Sequence, residues 1–118
     1  MNSANQDTIF DKILRGDIPA QKVHEDEHVL AFRDVNPQAP THVLVIPKRK
    51  VARFAGLKDL PTTDVGEFFQ GVARVAAKLG LEGNGYRIVI NNGRDAQQTV
   101  EYIHAHILGG RGLSWPPG

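Results

Sequence analysis

Near its C-terminus the chain runs Tyr102-Ile103-His104-Ala105-His106-Ile107-Leu108-Gly109-Gly110, with two histidines set two residues apart in an apolar, β-branched stretch. A strand sends residues i and i+2 to one face, roughly 6.5–7 Å apart. His104 and His106 therefore point one way, and Ile103, Ala105 and Ile107 the other way, into a core. The run requires a strand with one buried face. It leaves two imidazoles on a rigid surface, able to share an anion, a metal or a phosphoryl group.

The length of 118 residues fits one domain, small enough that pairing with a second copy would help bury surface. An apolar fraction of 41% and a charged fraction of 23% are those of an ordinary globular protein. A net charge of +1 leaves no basic surface sized for a polyanion. Lys48, Arg49 and Lys50 read as a solvated turn after a strand. The absence of cysteine excludes disulfides, thiolate metal ligands and cysteine nucleophiles together. The polar N-terminus has no signal-like apolar region and no run reaches transmembrane length, which sets a cytoplasmic protein as the expectation.

Residues 1–6 read as a disordered leader, followed by a single domain over 7–118 that ends in a tail from 111. Apolar positions 9, 10, 13 and 14 have helical spacing, closed by Gly16, with Asp7 or Thr8 as cap. Residues 21–24 and 28–33 form a candidate hairpin. Residues 34–40, with two prolines, form a loop, and 42–46 a strand ended by Pro47. Val65, Phe68, Phe69, Val72, Val75, Ala76 and Leu79 make one stripe of a long helix, with Thr62, Thr63 or Asp64 as N-cap and Gly80 at its end. A strand over 86–90, a polar loop over 91–98 and the histidine strand from near Thr99 complete an α+β domain with a mainly antiparallel sheet.

Among the other histidines, His24 and His28 sit among charged neighbours and read as solvated. His42 opens a strand beside the proline loop, a position that suits the wall of a site. Two in-phase histidines in an apolar strand both need polar partners. A metal site would need a third ligand, and His42 is the obvious one, with Asp34 and Asp95 in flanking loops. A nucleophilic site would need anion donors, which Asn91, Asn92, Gln97, Gln98 and Thr99 supply. Neutral donors suit a phosphate better than a divalent cation, which tilts the reading toward phosphoryl chemistry.

The stretch Gln98-Thr99-Val100-Glu101-Tyr102-Ile103-His104-Ala105-His106-Ile107-Leu108-Gly109-Gly110-Arg111, with Trp115-Pro116-Pro117-Gly118 at the end, resembles the signature of the histidine triad (HIT) superfamily, and within it the nucleotide-binding Hint branch. Residues 8–20, 31–42 and 86–91 resemble the same branch, so the likeness spans nearly everything past the leader. It implies a HIT-like α+β fold: a five-stranded, mainly antiparallel sheet with one long and one short helix, joined in a homodimer to a ten-stranded sheet. It also implies hydrolysis of purine nucleoside phosphoramidates, releasing AMP or GMP and an amine. His104 would be the nucleophile, forming a nucleotidyl-histidine, with His106 on the phosphate and His42 and Tyr102 completing the catalytic group. Asn91, Gln98, Thr99 and Val100 would lie at the phosphate, Asp34 at the ribose hydroxyls, and Phe10, Ile13, Ile18, Phe32 and Val35 around the base. Trp115 would reach toward the partner's site. No cofactor, metal, nucleic-acid polymer or membrane is implied. The alternative reading is a nucleotide-binding regulatory homodimer with weak or no hydrolase activity. Two positions depart from the family pattern: Tyr102 stands where the first triad histidine is expected, and Gln97 where glycine is usual. The phenol of Tyr102 is expected to hold His42 in place.

Overall fold

The computed structural model describes residues 6–118, so all but the last residue of the expected leader lies outside the described part. The elements are α1 (Ile9–Leu14), β1 (Lys22–Glu25), β2 (Val29–Arg33), β3 (Thr41–Pro47), a 3₁₀ helix (Phe54–Asp59), α2 (Thr62–Lys78), β4 (Tyr86–Val89) and β5 (Ala105–Gly109). The five strands form one antiparallel sheet in the order β1-β2-β3-β5-β4.

Strand alternation gives this sheet two unlike faces. Val29 and Ala31 of β2, Val43 and Val45 of β3, and Ala105 and Ile107 of β5 point to one side. There the α2 stripe of Phe68, Val72, Val75 and Ala76 covers them. The helix comes in close because Gly71 faces Val29, where an added Cβ would lie 2.7 Å from Val29 Cγ1. Leu30, Phe32, Leu44, Ile46 and Tyr102 point to the other side and meet Phe10 and Ile13 of α1, with Leu14, Ile18, Ala20 and Val100 packed at the margin. A six-residue helix cannot cover a five-stranded sheet, so this face stays partly open. The site lies on it.

Both helix starts are informative. Thr8 caps α1 through a capping box: the Asp11 amide donates to Thr8 Oγ1 at 3.2 Å and the Thr8 amide to Asp11 Oδ2 at 2.8 Å. At α2 the cap is Pro61, with no side-chain hydrogen bond, which corrects the expectation of Thr62, Thr63 or Asp64. Asp64 instead lies in the first turn, where a carboxylate suits the helix dipole, and it pairs with Arg49. The expected solvated basic turn is likewise paired throughout. Lys48 meets Glu25 at 2.9 Å and Lys50 meets Asp11 at 2.8 Å. The histidine strand also starts later than its composition suggests. Ahead of it, the Ile103 amide donates to the Val51 carbonyl, past the end of β3, at 2.7 Å. Among the described residues no helix is long and apolar enough to cross a membrane.

Candidate functional site

The pairing of β3 with β5 assembles the histidines. Leu44 lies opposite His106 and His42 opposite Leu108, so His42 and His106 are diagonal neighbours on one face, within reach of long side chains. His42 Nε2 is 2.9 Å from His106 Nδ1. The Gln38 amide donates to His42 Nδ1 at 3.0 Å. That N–H can only donate, so the neutral His42 ring carries its proton on Nε2 and donates it in a hydrogen bond to His106 Nδ1. His106 in turn keeps its proton on Nε2. His104 is fixed in the opposite sense: its Nδ1 donates to the Tyr102 carbonyl at 2.7 Å, which leaves Nε2 with a bare lone pair. Two adjacent imidazoles, with ring centroids 5.1 Å apart, thus offer one free nucleophilic nitrogen and one N–H donor.

Burial keeps all three rings neutral near pH 7. It lowers the pKa of His42, against the pull of Asp34. It lowers His104, against the Tyr102 carbonyl and Asp34. His106 is pushed down to about 4, first by burial and then by His104 and His42, with Asp34 opposing. The edge of one ring in the Phe10–His104 pair meets the face of the other, at 4.9 Å between centroids and 84° between planes, which adds to the desolvation of His104.

The open face forms a cleft of about 430 Å³. His104, His106, Thr99 and Val100 are among the residues that line it. Phe10, Ile13, Ile18, Phe32, Asp34 and Val35 line it as well. The structure therefore gathers most of the expected site residues in one cavity. It adds Ile9, Pro19, Ala20, Gln21, Arg33 and Leu44. Leu44 could have been found from strand alternation opposite His106, whereas Gln21 carries no signal in sequence. Asp34 reaches both ways: its Oδ1 accepts the Asn36 amide at 2.8 Å, and its Oδ2 lies 3.4 Å from His42 Nε2.

Several expectations change. Tyr102 does not hold His42. It is fully buried among Phe10, Leu30, Phe32, Leu44 and Ile46, and its hydroxyl donates to the Pro47 carbonyl. Burial raises the pKa of its phenol. Its link to the site is its backbone carbonyl, which orients His104. Gln98 and Asn91 do not line the cleft: the Asn91 amide donates to the Ala96 carbonyl at 2.9 Å, and the Gln98 amide is spent on backbone groups. Trp115 is exposed and stacks near the Arg87 guanidinium, 5.8 Å from its ring centre, away from this chain's own cleft. Gln97 has φ +60°, the left-handed conformation that glycine adopts without cost. His24 and His28 are not free in solvent; they lie 2.8 Å from Asp26 and 3.1 Å from Glu67.

Asp34, His42 and His106 each present one donor atom, all within 4.8 Å of one another. The donor set nevertheless fits a cation poorly. A metal on His42 Nε2 would displace the proton there while Nδ1 still faces the Gln38 N–H, leaving an imidazolate. A histidine ligand ordinarily donates its second N–H to an acceptor, and this one cannot.

Comparison with known proteins fits this arrangement. Residues 15–113 match the HIT domain model. A protein of Zea mays described as a 14 kDa zinc-binding protein is 53% identical over 114 residues, covering 94% of this chain and 88% of its own. The structure of a HIT family hydrolase from Legionella pneumophila superposes with a TM-score of 0.83 at 43% identity, covering 93% of this chain and 98% of that one. A histidine triad nucleotide-binding protein from Candida albicans superposes with a TM-score of 0.77 at 32% identity, over 94% and 84% of the two chains. The chain belongs to the HIT domain family.

Proposed function

We propose that the protein is a purine nucleoside phosphoramidate hydrolase of the Hint branch, working through a nucleotidyl-histidine on His104. The observation that carries this reading is the opposed proton assignment of His104, just before β5, and His106 within it. A bare His104 Nε2 and a protonated His106 Nε2 face one cleft. In the first step His104 Nε2 attacks phosphorus. The P–N bond to the amine breaks with its electron pair going to nitrogen, which takes its proton from solvent, while the His106 N–H donates to a phosphoryl oxygen and supports the charge that builds there. In the second step water attacks phosphorus and the P–N bond to His104 breaks. The proton from water goes to solvent, His104 Nε2 regains its lone pair, and the nucleoside monophosphate leaves. Asp34 is placed for the ribose hydroxyls, and Phe10, Ile13, Ile18, Phe32 and Val35 for the base. Thr99 and Val100 lie at the phosphate end, with Asn91 holding their loop.

The hydrolase description of the Legionella neighbour and the nucleotide-binding description of the Candida neighbour support the same reading. The zinc-binding description of the maize relative finds less support, because the proton on His42 Nε2 opposes a cation there. A homodimer joined along β4, the strand at one edge of the sheet, belongs to the proposal. It would bring the exposed Trp115 of each tail toward the partner's cleft.

The test is turnover of a fluorogenic adenosine 5′-phosphoramidate. His104→Ala should abolish it while keeping AMP affinity, and rapid quench of the native protein should show an adenylylated chain by intact mass. Tight AMP binding with no turnover in the native protein would replace the enzyme with a nucleotide-binding regulatory dimer.

A further inference from the structure

Gln98 makes a set of bonds that the proposed chemistry does not use. Its Oε1 accepts the Gly93 amide at 2.9 Å, and its Nε2 donates to the Ala52 carbonyl at 2.8 Å and to the Val100 carbonyl at 2.9 Å. Its own backbone N–H donates to the Gly93 carbonyl at 3.0 Å. Residues 93 and 98 are thus bonded in both directions, which closes the polar loop between them into a ring. The same side chain then fastens that ring to the segment following β3. Both hydrogens of Nε2 are committed to carbonyls, so the amide has no donor left for a phosphate. Two further bonds run in parallel, from the Ala55 amide to Asn92 Oδ1 at 2.8 Å and from the Ile103 amide to the Val51 carbonyl at 2.7 Å.

We propose that Gln98 is a positioning residue: it holds the 93–100 loop in register against residues 51–55, and so fixes where Thr99 and Val100 stand relative to His104. Only glutamine suits the place. A donor of two hydrogens is needed between two carbonyl oxygens, and an acceptor is needed at the Gly93 amide. Glutamate would set a carboxylate against two carbonyls. Thr99 and Val100 line the same cleft as His104 and His106, and a misplacement of about 1 Å in such a group can cost about a hundredfold in rate. The effect on turnover rests on the hydrolase reading; the clamp itself does not.

The test uses Gln98→Met, which keeps the length of the side chain and removes its bonds, and Asn92→Ala, which removes the parallel stitch. Amide hydrogen exchange of the ligand-free protein should show Gly93 losing about tenfold or more of its protection in Gln98→Met, as for an amide freed from a bond of about 1.4 kcal/mol. With the fluorogenic phosphoramidate, kcat should fall about tenfold to a hundredfold in Gln98→Met, and in the same direction by less in Asn92→Ala. Affinity for adenosine, which has no phosphate, should not change. Native protection of Gly93 in Gln98→Met overturns the proposal. So does an unchanged kcat in both variants with loss confined to AMP affinity, the result expected of a direct ligand. If Gln98→Met does not fold, an unchanged kcat in Asn92→Ala overturns it. No turnover by the native chain would overturn the hydrolase reading alone, and Gly93 protection would then decide the clamp.

Discussion

A histidine whose Nδ1 accepts a backbone hydrogen bond has one nitrogen left for its proton, and His42 is in that position. The chain from Gln38 through His42 to His106 therefore ends at an amide that does not titrate. His42 can polarise and orient His106, but it cannot hand a proton onward while the Gln38 bond lasts. The neutral state of these rings also ties stability to pH. His106 titrates near 4 in the folded protein against about 6.5 when exposed. Between those values the unfolded chain binds more protons, so folding stability falls as pH drops from about 6.5 toward 4 and is complete above. Thermal unfolding at pH 4.5 and pH 7 should show a lower Tm in acid. His106→Asn should narrow that gap without closing it, because burial lowers His42 and His104 as well. An equal gap in the variant would show that His106 is not part of the cause. At this scale the sequence was legible where chemistry is local. Paired histidines on one strand face declared themselves, as did His42 beside the loop. The Tyr102 hydroxyl and the Gln98 amide did not, because their partners are backbone groups, two of which, Pro47 and Ala52, lie far along the chain. Any sequence can supply a carbonyl.

Among the elements, α2 was the easiest to read and α1 matters more to the site. The long helix has a full apolar stripe, and its fit depends on Gly71 against Val29. Gly71→Ala should therefore destabilise the fold by about 1–3 kcal/mol through overpacking, despite the better helix propensity of alanine. Urea unfolding measures it, and a neutral or stabilising result would mean that Val29 moves aside freely. The short helix α1 is fastened by Phe10, by Ile13 and by the Lys50–Asp11 pair. It supplies the ring that packs on His104. Its start was visible in the Thr8 and Asp11 pattern, whereas the 3₁₀ helix over Phe54–Asp59 has no sequence signature, since it buries no residue fully. The late start of β5 has a similar cause. Residues 98–104 have strand composition, but the Ile103 amide bonds to the Val51 carbonyl past the end of β3 rather than into the ladder.

For the whole molecule, the unequal covering of the two sheet faces decides where the cleft forms. The long helix seals one side, and the short one leaves a cleft on the other. The order of strands has a kinetic meaning as well. β3 and β5 are neighbours in the sheet, with Thr41 opposite Gly109, and no shorter connection of the chain brings His42 to His106. Closing so long a loop is entropically costly and comes late in folding. The imidazoles should therefore meet only when nearly the whole chain is in place, and a partly folded intermediate should have no hydrolytic centre. In a denaturant titration, turnover and far-ultraviolet ellipticity should fall along one curve. Activity lost at lower denaturant than the ellipticity would instead point to local loosening of the cleft. A chain still on the ribosome, with β5 held in the exit tunnel, would be inert toward nucleotides however well its first half had folded.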